Sequence, residues 1–193
     1  MFIKNKILFY TAIFGDYDSL LEPLLNDESA DFLCITDQNF TSSKWKVVKV
    51  KKNNVSPILR AKYYKILPHR FLDNYKYSVW VDGNFIINKK ANKLSKKIFK
   101  KYVFAAFDHN YTKGDKRDCI YKEGNAVIDM AETNYKANPE TVFKQIRAYR
   151  DLGCPENNGL ICGGILFREH GDFKIIRIME DWWKEISKYS VND

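Results

Sequence analysis

Several signatures that would fix a function outright are missing from this chain. Its four cysteines, Cys34, Cys119, Cys154 and Cys162, form no C-x-x-C pair and have no histidine cluster beside them, which argues against a zinc site. Cys34 and Cys162 lie inside apolar runs and read as small buried hydrophobes. Such thiols fit a reducing compartment, and the expected location is cytoplasmic. No apolar run reaches the roughly 18 residues that a membrane span needs. Lys4 and Lys6 ahead of Ile7 to Phe14 imitate the start of a signal peptide. That run passes straight into Gly15-Asp16-Tyr17-Asp18 with no small-residue cleavage site, so it reads as a first strand. Repeats, low-complexity tracts and obvious linkers are absent too.

Acidic residues are in short supply. Against 24 Asp and Glu stand 32 Lys and Arg, for a formal charge of +8, and much of the excess falls in 44–52 and 89–101. These runs lack the Arg-rich or glycine-spaced aromatic pattern of a nucleic-acid module, and lysine runs on helix faces are usually solvation. They still favour anionic ligands such as nucleotide diphosphates, anionic glycans or a membrane surface.

What is present describes a globular α/β chain. With 193 residues, 45% of them hydrophobic and 29% charged, it can bury a core of its own as a single domain. Hydrophobic patterning predicts strands over 7–14, 31–36, 46–50, 77–82, 85–87, 102–107 and 159–167. Helices are expected over 56–67, 91–99, 120–133, 139–152 and 173–187, the first opened by Ser56-Pro57 as cap and first-turn proline. Strands separated by helices imply a mainly parallel sheet flanked by helices, with ligands gathered at the strand ends. Polar residues recur there: 11–18 after the first strand, Thr36-Asp37-Gln38, Asp82-Gly83-Asn84, Asp108-His109 and Arg168-Glu169-His170.

The stretch from Tyr77 to Ile86 is the most informative. An apolar run delivers the Asp82 carboxylate into a glycine-containing turn, the usual way an open α/β sheet presents a charged ligand in the crevice at its edge. Such an Asp can hold a divalent metal, although Asp-Gly is also an ordinary turn dipeptide.

Together these segments resemble the glycosyltransferase-like family once catalogued as domain of unknown function 616, and more loosely the GT-A glycosyltransferases. The resemblance is carried by 10–18, by Arg60 and Lys65 ahead of Leu67-Pro68-His69-Arg70, and by 77–84. It continues through His109, 117–123, 162–168 and Met179-Glu180-Asp181-Trp182-Trp183. It covers nearly the whole chain and implies a GT-A-like (Rossmann-like) fold. The implied activity is metal-dependent transfer of a hexosyl or deoxyhexosyl group from a UDP-sugar donor to a glycan or other hydroxyl acceptor. Mn²⁺ or Mg²⁺ and basic side chains would stabilise charge on the leaving diphosphate.

The family pattern also implies roles. Asp82 is the metal ligand, with Gly83 and Asn84 beside it at the donor. Arg60 and Lys65 would face the diphosphate or donor sugar. Thr11, Phe14, Asp16 and Tyr17 would cradle the nucleoside, with Asp37 next to the base or ribose, and Gly163 and Gly164 would let backbone approach the sugar. His109, Arg117 and Glu123 would line the acceptor side or support the donor sugar. Each has a structural counterpart: Arg60 and Lys65 as solvent-facing helix charges, Phe14 and Tyr17 as core, Asp16 as a turn residue, the glycines as a bulge, and the His109 group as a buried network that only orders a loop.

Two departures stand out. Trp80 occupies the place of the first carboxylate of an Asp-x-Asp pair, leaving Asp82 alone. The chain also stops at Asp193 where the family typically continues with Asp-Gln and another helix, so Asp193 would be the candidate base, and the chain reads as the N-terminal part of a longer protein with further domains. Two rivals follow: a non-catalytic nucleotide-sugar or glycan-binding module, and a basic nucleic-acid-binding domain.

Overall fold

Ten residues of continuous strand at the amino end organise everything else. In the computed structural model, which describes residues 4–111, 116–130 and 138–190, strand β1 (Lys4–Ile13) is followed by β2 (Ala30–Thr36) and β3 (Lys46–Lys49). Then come helix α1 (Pro57–Ile66), β4 (Tyr75–Val81), α2 (Ala91–Phe99) and β5 (Phe104–Asp108). Helices α3 (Ile120–Asp129) and α4 (Pro139–Asp151), strand β6 (Ile161–Glu169) and α5 (Phe173–Lys188) complete the order. The strands form one sheet in the order β3-β2-β1-β4-β6-β5. β1 runs parallel to both β2 and β4, and β2 parallel to β3, whereas β6 lies antiparallel to β4. The fold is thus α/β with a mostly parallel sheet, as expected from the alternation of strands and helices.

The chain divides into two compact units, Met1–Ala105 with Gly164–Glu180 and Ala106–Gly163 with Asp181–Asp193. In the first, β1 has strands on both sides, and this forces its apolar run: Leu8, Phe9 and Tyr10 are almost fully buried. Alternation sends Ile7 and Phe9, with Cys34, Val79, Val81 and Phe167, into a core closed by Leu25, Trp45 and Ile87. On the opposite face lies Tyr10, edge-on to Trp80 and to Phe71 just beyond α1. α1 begins as its sequence predicts, the Ser56 hydroxyl accepting from Leu59 N–H at 3.3 Å with Pro57 in the first turn. In the second unit α3 and α4 meet at Gly124, where a Cβ would run into Ile146.

Two expectations are corrected. Residues 85–87 form no strand: Phe85 N–H turns back onto the Asp82 carbonyl at 3.1 Å, and Phe85 and Ile86 stay 41% and 55% exposed. β6 pairs Tyr77 with Glu169 and Val81 with Ile165. Its antiparallel course therefore sends Arg168-Glu169-His170 to the edge opposite Asp82, and brings its glycines toward Asp82 instead. α3 closes at Asp129 with Met130 as cap, and the rest of the helix expected to 133 lies outside the described residues.

Candidate functional site

The site begins where β4 runs out. Asp82 follows directly, its N–H bonded to the Gly164 carbonyl at 2.9 Å. Two groups converge on its Oδ1: the Trp80 indole N–H at 2.6 Å and the Lys65 ammonium at 3.4 Å. Trp80 reaches it because residues two apart in a strand share a face. Lys65, on the last turn of α1, is itself nearly inaccessible, with its side chain 3% exposed against 39% for Asp82. The ammonium is carried from the interior to a carboxylate that solvent can reach, 5.8 Å from the Trp80 ring centre.

Two residues to which the sequence reading gave no role join this group. Lys62, one turn earlier on α1, is pushed down to about 7 by burial and then by the Lys65 charge, against the pull of Asp82. Asp18, in the loop after β1, has its carboxyl raised by burial and then by the neighbouring charge of Asp82. A Cβ on Gly83 would stand 3.0 Å from Asp18 Oδ2, so the second carboxylate lies over the Gly83 turn. The spacing of Lys62 to Lys65 on one helix is the signal that marks the first. Asp18 has no comparable mark beyond its place after strand one. Gly164 matters for space: a Cβ there would meet the Phe85 ring at 2.9 Å and come to 3.5 Å from Asp82 Oδ2.

A second group lies on the nucleoside side of the sequence reading. Asp37 and Arg60 form a buried ion pair, Nη1 to Oδ2 at 2.9 Å. Asp37 Oδ1 also accepts from Gly15 N–H at 3.1 Å and the Gln38 amide at 2.9 Å, while Arg60 Nη2 donates to the Lys51 carbonyl at 2.9 Å. Burial pushes the Asp37 carboxyl up, but these donors and the guanidinium outweigh it and hold it below its usual value. The Arg60 guanidinium lies 4.1 Å from the centre of the Phe14 ring, which stacks in turn on Tyr64. Arg60, Asp37 and Phe14 are therefore engaged with one another inside the fold. Asp16, Tyr17 and Asn84 are exposed, and Thr11 is 2% exposed with a hydroxyl that has no hydrogen-bond partner among the described residues.

In the second unit His109, Arg117 and Glu123 do come together. Arg117 Nε donates to Glu123 Oε2, Arg117 N–H donates to His109 Nδ1 at 3.3 Å, and His109 Nε2 stands 4.0 Å from Glu123 Oε2. Gly163 is buried in β6, and Asp193 lies outside the described residues. Among the described residues no group of three or more His, Cys, Asp and Glu is placed to hold a metal. No helix among them is long and apolar enough to cross a membrane.

A sheet-end carboxylate flanked by lysines and glycines is the kind of site at which α/β domains handle anionic ligands, and the comparisons with known proteins narrow that class. The sequence profile of the TOD1/MUCI70 glycosyltransferase-like domain matches residues 26–161. That is more than half of the chain, and the chain belongs to this family. No protein with a curated description matches it significantly. Among solved structures, the mannosyltransferase Ktr4p from S. cerevisiae is similar over 83% of this chain and 53% of its own, at 9% identity and a TM-score of 0.41. The chain thus spans about half the length of that structure.

Proposed function

We propose that this domain is a glycosyltransferase that moves a hexosyl or deoxyhexosyl group from a UDP-sugar to a hydroxyl of a glycan or other acceptor. Membership of the glycosyltransferase-like family supports the reaction type. The observation that carries the reading to named residues is the convergence of Lys65 and Trp80 on Asp82 at the end of β4.

In the transfer the bond from the anomeric carbon to the diphosphate oxygen breaks, the acceptor oxygen bonds to that carbon, and the hydroxyl proton passes to a base. Negative charge grows on the departing UDP, and Lys65 with Lys62 would meet it in a setting that solvent screens poorly. The Asp82 carboxylate, oriented by the indole N–H, keeps the Lys65 ammonium in place. Tyr17 and Asp16, exposed in the loop after β1, would meet the nucleoside, while Asp37 and Arg60 act through the loop: they anchor Gly15 and so fix where the residues after it begin. His109, Arg117 and Glu123 would serve the sugar or acceptor, and Asp193 would take the proton.

The donor set at Asp82 fits a hard divalent cation. Oδ2 accepts no hydrogen bond among the described residues, and the Asp82 side chain is 39% exposed. Mn²⁺ or Mg²⁺ held there would supply further positive charge to the leaving diphosphate.

Calorimetric titration of UDP, with and without Mn²⁺, tests the reading on the wild-type chain and on Asp82→Ala. Metal-dependent binding lost in the variant is the expected result. Failure of the folded wild type to bind UDP under either condition would overturn it. UDP binding with no hydrolysis of any UDP-sugar would favour the non-catalytic binding module.

A further inference from the structure

The net positive charge of this chain gathers around one helix. Residues 83–107 hold seven lysines and no Asp or Glu, and without them the chain is nearly balanced, at 25 Lys and Arg against 24 Asp and Glu. Those lysines lie on α2 and at its ends. Asn92 and Ser95 are buried, and Ile98 and Phe99 pack against the core, so the opposite side of the helix is a stripe of exposed residues three and four apart: Lys90, Lys93, Lys97 and Lys100. None of these four side chains makes a hydrogen bond or ion pair among the described residues. The carboxylate that α2 does contact, Asp27, is met by Asn92 on the inner side at 2.6 Å. The other basic run, 44–52, is partly engaged by the fold itself: Lys44 donates to the Pro23 carbonyl at 2.7 Å, and Lys49 to Asn39 Oδ1 at 2.5 Å.

The stripe works against the helix that carries it. Lys90 sits at the cap position with no side-chain cap bond, and the first turn contains no acidic residue. Positive charge at that end opposes the helix dipole, and Lys93 and Lys97, one turn apart, repel each other. Mixed charges would serve solubility equally well without that cost. An anionic partner relieves it. Apolar side chains border the stripe: Leu94, neighbour to Lys90 and Lys97 on the helix surface, is 45% exposed, and Tyr102 just past the helix is 59% exposed.

We propose that this outer face of α2 docks the domain on a lipid bilayer that contains anionic lipids, with Leu94 and Tyr102 entering the headgroup region. Each lysine near a negatively charged leaflet adds attraction, and exposed aliphatic and aromatic groups gain by burial at the interface. Lysine is a point charge, suited to a diffuse field of headgroups, whereas nucleic-acid phosphates favour the bidentate arginine fork, and the stripe has no arginine. The inference does not depend on what the Asp82 site binds.

The test is flotation of the chain with vesicles of phosphatidylcholine, alone and mixed about two to one with phosphatidylserine, at low and high salt, with each variant checked for folding by circular dichroism. Wild type should bind the mixed vesicles at least tenfold more tightly than the neutral ones, and more weakly as salt rises. Lys90→Gln, Lys93→Gln, Lys97→Gln and Lys100→Gln together should lose at least tenfold in affinity. The same change at Lys46, Lys49, Lys51 and Lys52 removes equal charge and should cost about twofold. Leu94→Gln should weaken vesicle binding several-fold and leave affinity for a single-stranded oligonucleotide unchanged. Failure of the folded wild type to bind the mixed vesicles would overturn the proposal. So would equal losses from the two sets of four, which would mean net charge without a defined face. Vesicle binding unchanged in Leu94→Gln would overturn it as well, and oligonucleotide binding through the same four lysines would then make the face a nucleic-acid surface.

Discussion

The indole N–H of Trp80 donates to Asp82 Oδ1 at 2.6 Å from two residues earlier in the same strand. The pair converts an apparent loss, a tryptophan where a carboxylate was expected, into an orienting device. Trp80 is 2% exposed and packed edge-on against Tyr10 with ring centres 5.2 Å apart, so its donor is rigidly aimed. Trp80→Phe keeps an aromatic ring and removes the donor. Hydrogen bonds to charged groups contribute about 1.5–3 kcal/mol, so affinity for UDP with Mn²⁺ should fall by roughly tenfold or more by calorimetry. Unchanged affinity in a folded variant would show that Asp82 needs no such aim.

The Asp37–Arg60 pair leads to a stability prediction. Removing one partner of a buried ion pair strands the other, at a cost of about 3–5 kcal/mol, whereas removing both with apolar residues is often close to neutral. Arg60→Met should therefore destabilise strongly in urea unfolding, and Arg60→Met with Asp37→Leu should recover a large part of the loss. Because Asp37 also accepts the Gly15 N–H, the double variant should still bind UDP more weakly than wild type. A loss in the double variant equal to the sum of the losses in Arg60→Met and Asp37→Leu would mean that the pair is not coupled.

These two pairs mark where sequence reasoning stops. The boundaries of α2 follow from its pattern alone, and α1 from a cap and a proline, because both signals are local. Local signals carry no strand direction, so nothing in Gly159 to Phe167 reveals that β6 runs against β4 and delivers Gly164, not Arg168, to Asp82. Residues 85–87 have the apolar composition of a strand, but the backbone closes a turn at Asp82 and offers them no ladder. Arg60 and Asp37 are legible as charges at useful positions. That each faces the other depends on contacts 23 residues apart. Asp82 and Lys65 lie close together, and the helix spacing of Lys62 to Lys65 marks Lys62, while Asp18 becomes visible only when two strand ends meet.

Acid stability should report on His170. Burial pushes its imidazole down to about 4, against the Leu72 carbonyl and helped by the nearby charges of Arg168 and His69. In the neutral form Nδ1–H donates to Leu72 O at 3.1 Å and Nε2 accepts from the Ser78 hydroxyl at 2.6 Å. Between about pH 6.5, the ordinary value for an unfolded chain, and pH 4, the unfolded state binds the extra proton and the folded state does not. Stability should fall as pH drops through that window and level off below it for this group. Urea midpoints measured from pH 7 to pH 4 should show a shallower slope for His170→Gln than for wild type. Identical slopes would remove His170 as the cause.

Lys62 should make nucleotide binding pH-dependent near neutrality, in a direction fixed by its environment. With its ammonium pushed down to about 7 by burial and by Lys65, it is charged below that value and neutral above it. An anionic ligand binds the charged form better, so UDP affinity should decline as pH rises from 7 to 9. Phosphate oxygens have taken up their last charge near pH 6, and UDP itself therefore contributes little to the change over this range. Metal is left out, so that hydroxide does not compete for it. Lys62→Arg keeps a positive charge throughout, since guanidinium does not titrate here, and should give a flat profile with binding at pH 9 restored. Lys62→Met should be flat and weak, several-fold below wild type at pH 7 and close to it at pH 9. A wild-type profile that stays level from pH 7 to 9, or a slope that survives in Lys62→Met, would place the titrating charge elsewhere and leave Lys65 as the cation that meets the diphosphate.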